Sequence, residues 1–180
     1  KRDMNLEHRT NDNPLKIARE IYKSIPNYKC KSEKQKEEII NYLYLVLLTS
    51  HREGELLKLK KENIDMKLKQ IRSPKTITKT KEIYKFPFPK ECYNYFDNIE
   101  SGLLFPTLKK GSLYEIFQRL VKMTNIEVYH DKRISIHDTR RLMLSIMITE
   151  CKIDSRLSDY CLSHKQKGTI QNYLSFTYEN

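Results

Sequence analysis

Glycine is scarce in this chain, with 4 in 180 residues, and proline is little commoner, with 6. Disordered chains are rich in such breakers and poor in apolar residues. Here leucine, isoleucine and aromatics recur in periodic runs, so a folded domain is expected. No apolar stretch reaches the roughly 18 to 20 residues that a membrane-crossing helix needs. The richest, residues 39–48, contains Asn41 and runs directly into Thr49, Ser50, His51, Arg52 and Glu53. That excludes a membrane span. Cysteine is sparse as well. Cys30, Cys92, Cys151 and Cys161 form no C-x-x-C pair, and no histidines stand at zinc-finger spacing from them. A reduced cytosolic protein fits better than a disulfide scaffold. The N-terminus has no signal-peptide apolar core, and the chain opens on Lys1 rather than Met, as a fragment of a longer protein would.

Positive charge is abundant. Thirty-four Lys and Arg against 23 Asp and Glu leave a formal charge of +11. That excess points to a polyanionic partner, nucleic acid first and an anionic membrane surface second. The length suits one domain with an appendage and is enough to bury a core.

The coarse organisation is α+β and mostly helical. Residues 1–13 are polar and read as a linker or arm. Pro14 opens a first helix from an N1 position, and Ser32 caps a second whose apolar face is Ile39, Ile40, Leu43, Leu47 and Leu48, ending near Ser50. Residues 53–59 read as a short helix. From residue 63 to 88 β-branched and aromatic residues alternate with lysines, the pattern of a small antiparallel sheet with one wet face; Pro87 and Pro89 stop it. Helices are expected again at about 90–98, 112–123, 136–150 and 155–162, with a last one around 169–176.

Four polar clusters stand out on this frame. Thr49 to Glu55, holding His51, Arg52 and Glu55, follows the most apolar helix. Lys75, Lys79 and Lys81 lie in the basic strand region. His137, Arg140 and Arg141 open another apolar helix, and His164 precedes Thr169 and Tyr173. Singly, each has a plain structural reading. Arg52 is an arginine near a helix end, and the lysines are a solvated strand face. His137 and Arg140 share a helix face at a common spacing, and Tyr173 is one of 12 tyrosines.

Together they resemble the catalytic domain of the tyrosine recombinases, the phage-integrase-like family. Its first box, an arginine with an acidic residue three positions on and a Leu-rich helix after it, is matched by Arg52, Glu55, Leu56, Leu57 and Leu59. The second, commonly H-x-L-R-[RH], is matched by His137, Arg140 and Arg141. The third, commonly L-G-H with a threonine five and a tyrosine nine residues beyond, is matched by Leu162, His164, Thr169 and Tyr173, and Arg140 and His164 are 24 residues apart. A lysine of the family's β-hairpin is matched by Lys79, with Pro87 eight residues on, or by Lys75, which follows Pro74. Departures are Ser50-His51 for a small pair such as Thr-Gly, Ser163 for the glycine before the histidine, and Thr139 for the leucine of the second box.

The resemblance implies cleavage of a DNA strand by Tyr173 to give a covalent 3′-phosphotyrosine. The residue types suit that chemistry. Attack on a phosphodiester builds negative charge on its non-bridging oxygens, and guanidinium forks such as Arg52 and Arg140 meet it. His164 supplies a further hydrogen bond. A phenol of pKa about 10 needs a base or a positive site, and His137 is the expected acceptor. Lys79 would protonate the leaving 5′-oxygen from a mobile hairpin in the minor groove. Glu55 is a supporting residue that orients Arg52 or packs helices. Lys75, Lys81, Arg141 and His51 are the candidate DNA contacts, His51 as a donor beside the phosphate. No Asp-rich cluster accompanies the set, so no metal and no cofactor, ATP included, is expected.

The resemblance also implies double-stranded DNA as partner, no membrane, and a homo-tetramer on paired sites for the full-length protein. By it, residues 1–13 are the tail of a linker from an N-terminal DNA-binding domain and 14–180 the catalytic domain. Seven residues follow Tyr173, too few for a long exchange helix, so the fragment itself is expected to be monomeric. The composition suits an AT-rich bacterial genome and a cytoplasmic, nucleoid-associated enzyme. Integration, transposition and Xer-like resolution remain open as roles. A type IB topoisomerase and a non-enzymatic DNA-binding module are the rival readings.

Overall fold

The computed structural model describes residues 13–124, 126 and 134–162. Seven α-helices and one small sheet make up the described fold: α1 (Pro14–Ser24), α2 (Glu33–Thr49), α3 (Glu53–Leu56), β1 (Ile64–Asp65), β2 (Gln70–Ser73), β3 (Tyr84–Pro87), α4 (Tyr93–Asp97), α5 (Lys110–Val121), α6 (Asp138–Thr149) and α7 (Ser155–Cys161). The α+β, mostly helical reading is correct.

Local signals set the helix starts. The Asn13 side chain accepts from the Lys16 N–H at 3.1 Å, with Pro14 in the first turn of α1, so the cap and the fixed proline φ act at one place. Ser32 caps α2 in the same way through the Gln35 N–H. The α2 helix is the hub. Tyr42, Leu43, Tyr44, Leu45, Val46 and Leu47 are buried in succession, which no one-faced surface helix can be, because neighbouring elements enclose it on all sides. Both α1 and α2 pack on α6, and Ile21, Ile25, Tyr42, Leu45, Phe96, Phe105, Phe117 and Leu142 belong to one continuous core. Glu38, buried in α2, accepts from both the N–H and the hydroxyl of Thr107, at 3.0 and 2.8 Å. The loop before α5 is thereby fastened to the hub.

The sheet runs in the order β1-β2-β3, antiparallel throughout, with Ile71 opposite Phe86 and Ser73 opposite Tyr84. Ile71, Ser73, Tyr84 and Phe86 are buried while Arg72, Lys85 and Pro87 are exposed, the one-wet-face pattern expected. The strands are shorter than their sequence pattern. Pro74, without an N–H, ends the β2 ladder, residues 74–83 turn back on themselves through Ile77 N–H to Pro74 C=O and Lys81 N–H to Thr78 C=O, and Lys81 takes a left-handed φ of 61°. The lysines at 75, 79 and 81 therefore stand on a loop between strands. The helix expected over 53–59 stops at Leu56. The segment expected around 169–176 lies outside the described residues.

Candidate active site

Two chain reversals build the site. At the first, α2 ends on Ser50, which holds φ at 54° and donates its N–H to Val46 C=O at 3.0 Å. This left-handed end is the place where glycine is least strained. The turn throws His51 inward and puts Arg52 at the N-cap of α3. Arg52 Nη1 lies 3.5 Å from Glu55 Oε1, with the carboxylate nearly buried and the guanidinium about a quarter exposed.

At the second, the loop after β2 passes over α3. The Lys79 N–H donates to the same Glu55 Oε1 at 2.7 Å, while its side chain stays exposed, as do those of Lys75 and Lys81. One carboxylate oxygen thus ties the hairpin loop to the arginine.

Arg140 comes in from the start of α6. It is 6% exposed, and its two terminal nitrogens donate to different backbone carbonyls, Nη1 to Ser50 and Nη2 to Leu162 at 2.5 Å. The ends of α2, α6 and α7 meet on this one guanidinium. Burial, then repulsion from Arg52, lowers its pKa to about 10, and the Glu55 carboxylate opposes that shift. Arg140 keeps its charge at neutral pH.

His137, at the N-cap of α6, and Arg141, in its first turn, are both exposed. Asp138 organises this end by accepting from the N–H and hydroxyl of Ser135, at 2.9 and 2.6 Å, and by pairing with Arg141 at 3.3 Å. Thr139 is fully buried and donates to Ile136 C=O at 2.7 Å, so its hydroxyl is satisfied where an aliphatic residue was expected.

His51 differs from its sequence reading as a phosphate donor. It is 3% exposed, its ring stacked on Phe86 at 3.5 Å between centroids. Its Nδ1–H donates to Thr49 C=O at 3.0 Å. Burial first, then Arg140 and Arg52, pull its pKa down to about 3, against the Thr49 bond. It is neutral, and packs the sheet onto the end of α2. A mostly apolar cavity of about 220 Å³ opens beside it, with Leu48, Met143, Met147 and Tyr160 in its wall.

The structure therefore brings Arg52, Glu55, the Lys79 backbone and Arg140 into one neighbourhood, with His137 three residues from Arg140 on the same helix end. His164, Thr169 and Tyr173 lie outside the described residues. Sequence reasoning did not find the contacts made by backbone groups, nor Tyr84 beneath the hairpin loop. Thr80, Glu82 and Tyr84, spaced two apart at the mouth of β3, were the available signal. Among the described residues no helix is long and apolar enough to cross a membrane, and no three His, Cys, Asp or Glu side chains converge as metal ligands.

No curated protein and no solved structure matches the chain. The profile of the phage integrase family matches it over residues 17–180. The chain belongs to that family, whose enzymes recombine DNA by breaking and rejoining strands.

Proposed function

We propose that this member of the phage integrase family cuts one DNA strand with Tyr173 and reseals it to a new partner without an external energy source. The observation that carries the reading is the meeting of Arg52 and Arg140 around Glu55, with the Lys79 backbone bonded to that same carboxylate. Two guanidiniums held in a mostly buried site face an anion with little competing water, where each charge-assisted hydrogen bond is stronger than at the surface. A guanidinium has five N–H groups; Ser50 and Leu162 engage one on each terminal nitrogen of Arg140, so donors remain for a phosphate.

In the cleavage step the Tyr173 oxygen bonds to phosphorus and the bond to the 5′-oxygen breaks. His137 takes the phenolic proton and Lys79 gives a proton to the leaving oxygen. Arg52, Arg140 and His164 hold the non-bridging oxygens. The reverse sequence, with another strand's 5′-hydroxyl as nucleophile, reseals the backbone. Because the phosphotyrosine stores the diester bond, no nucleotide is consumed. Lys79 is favoured over Lys75 by its bond to Glu55, which sets its Cα beside Arg52. Lys75, Lys81 and the exposed Arg141 would contact phosphates, and binding would weaken steeply with salt.

Work on paired sites by four protomers, in the service of integration, transposition or Xer-like resolution, is the biological extension of this reading, with the protein in the cytoplasm on the nucleoid. Residues 14–180 would be the catalytic domain of a longer protein.

Covalent trapping tests the proposal. Nicked duplexes drawn from a random-sequence pool are incubated with the protein in EDTA, denatured and run on a gel beside Tyr173→Phe. An adduct present in the wild type and absent from the variant is expected. An adduct that survives the substitution moves the nucleophile elsewhere and overturns the assignment.

A further inference from the structure

The loop that carries Lys79 spans residues 74–83 between β2 and β3. Tight hairpins close in about two to five residues, so a loop of this length needs something other than strand pairing to fix its shape. The last ladder pair before it is Ser73 with Tyr84. Tyr84 is 5% exposed, yet its hydroxyl reaches the loop: it accepts from Thr80 Oγ1 at 3.0 Å and donates to Glu82 Oε2 at 3.1 Å. Thr78, also buried, closes the same stretch by donating from Oγ1 to the Glu82 carbonyl at 2.7 Å. Lys79 lies inside this set of contacts, with its own N–H on Glu55.

We propose that the Tyr84 hydroxyl is a positioning group for the Lys79 side chain. It fastens the loop a second time, besides Glu55, so that the stretch around Lys79 is held at residue 79 by α3 and at residues 80 and 82 by β3. The ammonium is then presented from a fixed base, although its own carbon chain is free in solvent. A loop held by side-chain bonds at residues 78, 79, 80 and 82 is a different device from a freely moving hairpin. Its consequence is that the backbone bearing the general acid is already in place, and only the lysine side chain is left for DNA to order. Tyr84 does not touch the reacting atoms in this scheme. It acts through Lys79, and the inference rests on the proposed role of Lys79 as proton donor to the 5′-oxygen.

The test is Tyr84→Phe in the full chain, which removes one oxygen and leaves the ring in the core. Amide exchange reads the latch without DNA: residues 79–82 should exchange up to about tenfold faster, the weight of one or two hydrogen bonds, with amides at Ile71 and Phe86 unchanged. Uniform acceleration across the domain, or no change in the loop, overturns the proposal. The link to catalysis is read with captured duplexes carrying either oxygen or sulfur at the bridging 5′ position, because a thiolate leaves without a proton. Tyr84→Phe should form the adduct about tenfold more slowly on the oxygen substrate, at the wild-type rate on the sulfur one, and with unchanged duplex Kd. Lys79→Ala run in parallel separates the two claims. If sulfur does not rescue Lys79→Ala, the proton-donor reading fails, and the exchange data still judge the latch. If sulfur rescues Lys79→Ala but not Tyr84→Phe, Tyr84 does not work through the lysine and the proposal falls.

Discussion

The Lys79 N–H and the Arg52 guanidinium share one oxygen of Glu55, at 2.7 and 3.5 Å. A hairpin loop and a helix start, separated by the whole of β1 and β2, are joined by a carboxylate that also offsets the repulsion between Arg52 and Arg140.

Removing that carboxylate should therefore do more than loosen a surface ion pair. In Glu55→Ala the half-buried bond to the Lys79 N–H loses its acceptor and two arginines lose their compensating charge, a loss of about 2 kcal/mol in stability. Glu55→Gln keeps an acceptor for Lys79 and should cost about half as much. Urea unfolding at neutral pH measures both. Equal losses in the two variants would mean that the charge, and not the hydrogen bond to Lys79, carries the stabilisation.

Arg140 makes a second prediction about shape, not charge. Its fork spans the carbonyls of Ser50 and Leu162, which a single ammonium on a flexible stem cannot do. Arg140→Lys should lose about 2 kcal/mol of stability, since at least one buried carbonyl is left without its donor. DNA cleavage should fall with it. A lysine variant as stable as the wild type in urea would show that the two carbonyls are satisfied some other way.

Much of this fold could be read from the residues alone, where the signal is local. Asn13-Pro14 and Ser32 mark helix starts because a cap and a fixed φ act within one turn. The alternation around β3 gave the correct wet face. Toward Pro74 the same alternation falls on a loop, because lysines alternate with β-branched residues in a loop as readily as in a strand; only the turn bonds and the left-handed Lys81 separate the two. The candidate arginines, histidines and lysines were legible as residue types at characteristic spacings. Their actual partners were not, because Ser50, Leu162 and Lys79 contribute backbone groups that every residue possesses. Nor does anything around His51 announce that its ring will meet Phe86 from a distant strand, or around Glu38 that it will bond Thr107.

His51 supplies the pH prediction. Its folded pKa of about 3 lies below the ordinary value of 6.5, because burial and two arginines disfavour the imidazolium. As pH falls below 6.5 the unfolded chain takes up this proton and the folded chain does not. The stabilisation from a neutral His51 is therefore complete above pH 6.5 and is lost progressively as pH falls toward 3, at up to about 1.4 kcal/mol per pH unit. Between pH 6.5 and 5 that amounts to roughly 1.5 to 2 kcal/mol. His51→Phe keeps a ring to stack on Phe86 but cannot bind the proton, and gives up the bond to Thr49. It should be less stable than the wild type at pH 7, yet lose less on acidification, so that the two curves of unfolding free energy against pH converge as pH drops. Curves that stay parallel from pH 7 to 5 would place His51 in contact with water when the protein is in solution.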